Sequence, residues 1–213
     1  MASNTVRILR LAAPPRDEVM QSILLWDIMG TLVHDPFFVE MPQFFGMTFE
    51  ALLEAKHPSA WVEFELGKCS EDEFLDRFFA DGRNFDRQGF VRAMRSSYRW
   101  LPGLDRLLSE LCSAGYTMHA FSNYPIWYQF IEERLNVSRF VEWTFVSCIT
   151  GLRKPNPAAY VHVSRALGVT ADQCVFVDDR VRNCEVARRC GMHSVMFEGI
   201  QPLRASLKDA GVL

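Results

Sequence analysis

With 213 residues, 49% hydrophobic and 23% charged, the chain has ordinary globular usage and length for one sizeable core plus an inserted subdomain. A net charge of −3 offers no basic field to a nucleic-acid backbone, and no apolar run approaches the roughly 18 residues of a membrane span, so neither is an expected partner. The six cysteines include no C-x-x-C pair, which fits a reducing compartment such as the cytoplasm.

Residues 1–22 read as a mobile N-terminal segment. Its first fifteen residues carry Arg7 and Arg10 and no acid, as in the stub of an organelle transit peptide. The apolar run 23–26 is a strand that stops on Asp27. Residues 36–99 are rich in Phe, Leu and Glu at helical spacing and show no strand-like alternation, which predicts an inserted helical cap. Within it, Ser70 and Glu73 form a capping box opening a helix whose Phe74, Leu75, Phe78 and Phe79 recur at three and four; these aromatics read as cap core.

Beyond the insertion, helix and strand signals alternate. Helices are expected over 104–114, 126–135, 157–167 and 181–190, with Gly115, Gly168 and Gly191 as stops. Strands are expected over 117–121, ending at Ser122; over 143–146, ahead of a loop carrying Lys154; over 175–177, ending at Asp178; and over 194–197. This alternation predicts an α/β fold: a Rossmann-like three-layer core with a parallel sheet, built from 23–35 and 100–213, plus the inserted α-helical cap. Sites in open parallel sheets form outside the carboxyl ends of the strands, so the polar residues ending the first, second and fourth strands should meet in one crevice.

Four segments carry the chemistry in order: Trp26-Asp27-Ile28-Met29-Gly30-Thr31-Leu32, Phe121-Ser122-Asn123, Lys154-Pro155-Asn156-Pro157, and Val177-Asp178-Asp179 with Asn183 four residues on. A carboxylate such as Asp27 can attack phosphorus, splitting one hard hydrolysis into two easier steps. Ser122 and the amide of Asn123 can donate to a phosphoryl oxygen, and Lys154 adds fixed positive charge where negative charge builds up. The set resembles the motifs of the capped haloacid dehalogenase-like hydrolases over nearly the whole chain.

That resemblance implies a phosphatase acting on a small phosphate ester, with Asp27 as nucleophile, Ser122 and Lys154 as its catalytic partners, and Gly30, Asn123 and Asn156 on the substrate. It further implies a Mg²⁺ ion held by Asp27, the carbonyl of Met29, Asp179 and Asp178. In the family's phosphatases the residue two after the nucleophile is usually an acid that protonates the leaving group and then activates water. Met29 has no titratable proton, and such assistance is typically worth ~10² to 10⁴ in rate. Three readings follow: a slow phosphatase, a different hydrolase such as a phosphonatase or dehalogenase, or a phosphate-binding protein without turnover. Metal-free dehalogenases lack the paired acids, so Asp178-Asp179 argues against dehalogenation. Asp35, just after the first strand, is one candidate for the missing acid. The five histidines show no metal-ligand spacing.

A narrower resemblance lies in Asp35-Pro36-Phe37, Phe44-Phe45-Gly46-Met47, Lys56-His57-Pro58, Ala60-Trp61, Asn123-Tyr124-Pro125-Ile126-Trp127-Tyr128 and Arg153-Lys154-Pro155. These stretches look like the chloroplast flavin mononucleotide (FMN) hydrolases of plants and algae, which also carry Met two residues after the nucleophile but an Asp where this chain has Gly30. The resemblance implies FMN as substrate and the plastid stroma as location, with Trp61, Tyr124 and Trp127 as candidates to stack on the flavin ring.

Overall fold

The computed structural model describes residues 22–213; the expected N-terminal segment, apart from residue 22, lies outside the described residues. In chain order the elements are β1 (Ile23–Trp26), α1 (Glu40–Phe45), α2 (Phe49–Ala55), α3 (Ala60–Glu65), α4 (Glu71–Asp76), α5 (Arg87–Ser97), α6 (Leu104–Ser113), β2 (Met118–Ser122), α7 (Tyr128–Leu135), β3 (Glu142–Val146), α8 (Ser147–Thr150), α9 (Pro157–Leu167), β4 (Cys174–Asp178), α10 (Val181–Arg189), β5 (His193–Met196) and α11 (Ile200–Asp209). The five strands form one all-parallel sheet in the order β3-β2-β1-β4-β5. β2 and β4 are buried throughout, as a sheet covered on both faces requires, and β4 is correspondingly a continuous apolar run up to Asp178.

The strand order reverses at β1, which has β2 on one side and β4 on the other, so the crevice at its carboxyl end opens beside Asp27. Residues between β1 and α6 form five helices, entered and left through a narrow neck. There Val33 bridges Trp100, the His34 amide donates to the Arg99 carbonyl and the Leu101 amide to the Leu32 carbonyl. The insertion has an aromatic interior. Phe45, Phe78, Phe79, Phe85 and Phe90 stack on one another with ring centroids 4.9–5.8 Å apart, and Phe74 packs parallel to Phe64 at 4.6 Å. Each buried ring among them (Phe64, Phe74, Phe78, Phe79 and Phe90) stabilises the fold by about 1.5–3 kcal/mol.

The Ser70/Glu73 capping box is present in both directions, but α4 ends at Asp76. Phe78 and Phe79 lie past it because their backbone pairs instead with the end of α2: His57 N–H donates to the Phe78 carbonyl and Ala80 N–H to the Ala55 carbonyl. α7 likewise starts at Tyr128 rather than 126, since Pro125 to Trp127 form tight turns whose carbonyls accept from the residue three ahead. α8 and α11 were not anticipated; α11 buries only Leu203 and Leu207, too sparse a stripe to stand out.

Candidate active site

Asp27 leaves β1 with its amide still donating to the Val177 carbonyl of β4, at 2.9 Å. The chain then turns at once: Thr31, Leu32 and Val33 amides all point at the Ile28 carbonyl, and Gly30 takes φ +80° to allow it. A Cβ at Gly30 would lie 2.7 Å from Asp179 Oδ2, so glycine here also makes room for that carboxylate. Thr31 ties the two loops together; its Oγ1 donates to Asp27 Oδ2 at 3.2 Å and accepts from the Asp179 amide at 3.1 Å.

Lys154 reaches the same point from the loop between α8 and α9. Only 2% exposed, it places Nζ 2.8 Å from Asp27 Oδ1 and 2.6 Å from Asp178 Oδ2. Burial works against the ammonium, yet Asp178 and Asp27 outweigh it and hold the Lys154 pKa above its ordinary range. Asn123 braces this loop from the end of β2, donating from Nδ2 to the Lys154 carbonyl and accepting the Lys154 amide on Oδ1, both at 2.8 Å. Asp178 is locked by the Arg180 amide at 2.8 Å and by Asn183 Nδ2 at 3.0 Å to each oxygen.

One oxygen from each of Asp27, Asp178 and Asp179 falls within 4.8 Å of the others. Burial, opposed by Lys154, pushes Asp27 from an ordinary 3.8 up to about 7. Burial and then the charge of Asp178 also raise Asp179. Two buried polar atoms at this point, Asp179 Oδ1 and Ser122 Oγ, have no hydrogen-bond partner. Crowded, desolvated carboxylates with an unpartnered oxygen fit a hard divalent cation, and an unpartnered buried hydroxyl at the carboxyl end of the neighbouring strand β2 fits an anionic ligand oxygen. Among the described residues no histidine joins such a cluster.

The structure therefore brings Asp27, Met29, Gly30, Ser122, Asn123, Lys154, Asp178 and Asp179 to one crevice. Asn156 is elsewhere in role: it is exposed, and its side chain caps α9 by accepting the Ala158 amide at 3.0 Å, as an Asn before an N1 proline does. Trp127 is likewise not at the opening; its ring is buried against Phe64 and Phe74, with Nε1 donating to Glu71.

Two cavities that share lining residues open here, the first of them onto Asp27. One, of 270 Å³, is lined by Asp27, Met29, Glu65, Asn123, Lys154 and Arg153, with Arg180, Arg182 and Asn183 at its edge. The other, of 310 Å³, shares Met29, Glu65, Asn123, Arg153 and Arg180 and adds Asp35, Phe37, Leu53, Lys56, Trp61 and Tyr124. Glu65, Arg180 and Arg182 were not singled out from sequence, and Arg153 was noted only within the Arg153-Lys154-Pro155 stretch. Glu65 comes from the insertion and meets Arg153 only through the fold.

A family model described as haloacid dehalogenase-like hydrolase matches residues 22–191. The chloroplast flavin mononucleotide hydrolase 1 of Arabidopsis thaliana is 47% identical over 190 residues, covering 89% of this chain and 78% of that protein. A phosphoglycolate phosphatase of Pseudomonas syringae is 24% identical over 194 residues, covering 83% and 69%. Among solved structures, a mutant enzyme of the same family from Bacteroides thetaiotaomicron, in complex with magnesium and inorganic phosphate, superposes with a TM-score of 0.72 at 20% identity, covering 86% of this chain and 98% of that one. Among the described residues no helix is long and apolar enough to cross a membrane.

Proposed function

The chain belongs to the haloacid dehalogenase-like hydrolases, and we propose that it is a Mg²⁺-assisted phosphomonoesterase of the plastid stroma whose substrate is FMN. The observation that carries this reading is Asp27 itself, a buried carboxylate ion-paired to Lys154 at the switch point of the sheet, with an unpartnered Ser122 hydroxyl ending the neighbouring strand β2. Asp27 attacks phosphorus and forms an aspartyl-phosphate. Lys154 opposes the burial that raises the Asp27 pKa and aims that carboxylate, while Ser122 Oγ donates to a phosphoryl oxygen. A Mg²⁺ ion would be held by Asp27, the Met29 carbonyl, Asp179 and Asp178, and would supply positive charge against the incoming phosphate.

FMN is favoured by the 47% identical hydrolase and by the outer cavity, where Trp61, Tyr124 and Phe37 offer ring faces beside the polar edges of Asn123, Arg153 and Glu65. Purified protein is expected to release phosphate from FMN faster than from phosphoglycolate or simple alkyl phosphates, and to stop when Mg²⁺ is chelated. Release from none of these esters would overturn the reading in favour of a binding protein, which Met29 alone favours.

The charge balance predicts how Mg²⁺ acts on stability. Because the folded-state pKa of Asp27 is raised from 3.8 to about 7, the metal-free fold loses stability as pH rises between those values. A cation bound by the ionised carboxylates reverses that loss. The Mg²⁺-induced rise in melting temperature should therefore be largest above pH 7 and shrink below it; a rise of equal size at pH 5 and pH 8 would contradict the assignment of Asp27 as a ligand.

A further inference from the structure

Met29 leaves no proton donor two residues after the nucleophile, yet a second carboxylate reaches the same cavity from the insertion. Glu65, the last residue of α3, is 6% exposed and lines both the Asp27 cavity and the outer one. Its backbone is fastened to the core rather than left to move with the insertion. Ser147 Oγ donates to the Glu65 carbonyl at 2.5 Å, and Gly67, at φ +66°, approaches the core so closely that a Cβ would meet the Cys148 carbonyl oxygen at 2.6 Å. The side chain is fixed as well: Trp61 Nε1 donates to Oε1 and Arg153 Nη2 to Oε2, the latter at 2.9 Å. Each oxygen keeps a second lone pair for a proton or a ligand. Holding one acid this firmly in the wall of the cavity that Asp27 also lines is what proton transfer in a short-lived complex needs.

We propose that Glu65 is the general acid and base of the reaction, in place of the acid that Met29 displaces. The proposal rests on the phosphomonoesterase reading above. In the first step an Asp27 oxygen bonds to phosphorus, the bond from phosphorus to the ester oxygen breaks, and the Glu65 carboxyl gives its proton to the departing alcohol. In the second, the Glu65 carboxylate takes a proton from water and the water oxygen bonds to phosphorus. The phosphorus–Asp27 bond then breaks, regenerating both the Asp27 carboxylate and the protonated Glu65 and freeing inorganic phosphate. Burial raises the Glu65 pKa, against the opposing charges of Arg153 and Arg180 and the Trp61 hydrogen bond. Asp35 is the competing acid. It lines only the outer of the two cavities, and its Oδ1 already accepts the Phe37 amide at 3.0 Å.

Leaving-group dependence tests the assignment. An alkyl phosphate needs a proton on its departing oxygen, so Glu65→Gln should slow its first turnover by about 10² to 10⁴. p-Nitrophenyl phosphate departs unprotonated. With it, the first turnover should stay near the wild-type rate, after which phosphorylated Asp27 accumulates and is seen by mass spectrometry of quenched enzyme. Glu65→Asp, which keeps the carboxyl chemistry, should recover part of the alkyl-ester rate, and melting temperatures of both variants separate lost folding from lost proton transfer. Equal losses on the two esters without accumulation would make Glu65 a holder of Arg153 and overturn the proposal, as would the same signature in Asp35→Asn but not in Glu65→Gln. An inactive wild-type protein would sink the phosphatase reading and this one together; active wild type with unaffected Glu65→Gln would sink this one alone.

Discussion

Lys154→Met is expected to abolish turnover and to lower unfolding free energy by about 3–5 kcal/mol, the cost of stranding buried charge. The ammonium is the one cation within hydrogen-bond reach of both Asp27 and Asp178 among the described residues, and it sits over the rings of Phe121 and Phe176 at 5.2 and 4.9 Å. Methionine fills a similar volume and keeps the ring contacts, so packing changes little. What changes is charge: two buried carboxylates, with Asp179 next to them, lose their counter-ion. Urea unfolding at pH 8 without Mg²⁺ measures the effect as a fall in midpoint at unchanged slope. Added Mg²⁺ should restore part of the stability, since it replaces the missing positive charge, but none of the turnover, since it cannot restore the aim of Asp27. A variant with the wild-type midpoint would mean that the carboxylates are protonated or hydrated in the folded protein, and would remove the electrostatic basis for Lys154 in the site.

The sheet was legible because its strands are short apolar runs that end on polar residues, a pattern set by burial on both faces and by the crevice at the carboxyl ends. Expected and observed strands differ by a residue at most, for example 175–177 against Cys174–Asp178. Glycine stops placed the ends of α9 and α10 equally well, since Gly168 and Gly191 take the positive φ that ends a helix turn. Inside the insertion the same reasoning was weaker. Phe78 and Phe79 keep helical spacing with Phe74 and Leu75, yet the pairing of this stretch with α2 outweighs one more turn of α4.

In the site, what could be read was what sits on the motifs' own backbone: Asp27, Ser122, Lys154, Asp178 and Asp179. What could not was anything depending on a partner far along the chain. Glu65 and Arg153 are 88 residues apart and pair at 2.9 Å, and no local pattern around Glu65 points to that pairing. Asn156 is the opposite case: the resemblance implied a substrate contact, whereas its place before Pro157 already specified the N-cap that its side chain forms.

Asp27→Asn separates catalysis from stability in the sense opposite to Lys154→Met. Turnover should fall by about 10⁴ to 10⁶, because the amide cannot attack phosphorus and no other buried carboxylate lies where the nucleophile does. Stability should hold or rise. The amide oxygen still accepts from Lys154 Nζ, its NH₂ can donate to Thr31 Oγ1, and a carboxylate whose pKa burial had pushed up to about 7 no longer has to ionise inside the fold. At pH 8 without Mg²⁺ the variant should melt no lower than the wild type, and at pH 5, where Asp27 is already protonated, the two should converge. The Mg²⁺-induced rise in melting temperature should shrink at pH 8, because one of the three clustered oxygens is now neutral. A variant that melted well below the wild type at pH 8 would show that the Asp27 charge holds Lys154 in place, so that the pair is structural first. Retained hydrolysis of FMN would move the nucleophile elsewhere. The expected combination, a silent but sturdier protein, is what a carboxylate kept in an unfavourable place for its reactivity should leave behind when it is neutralised.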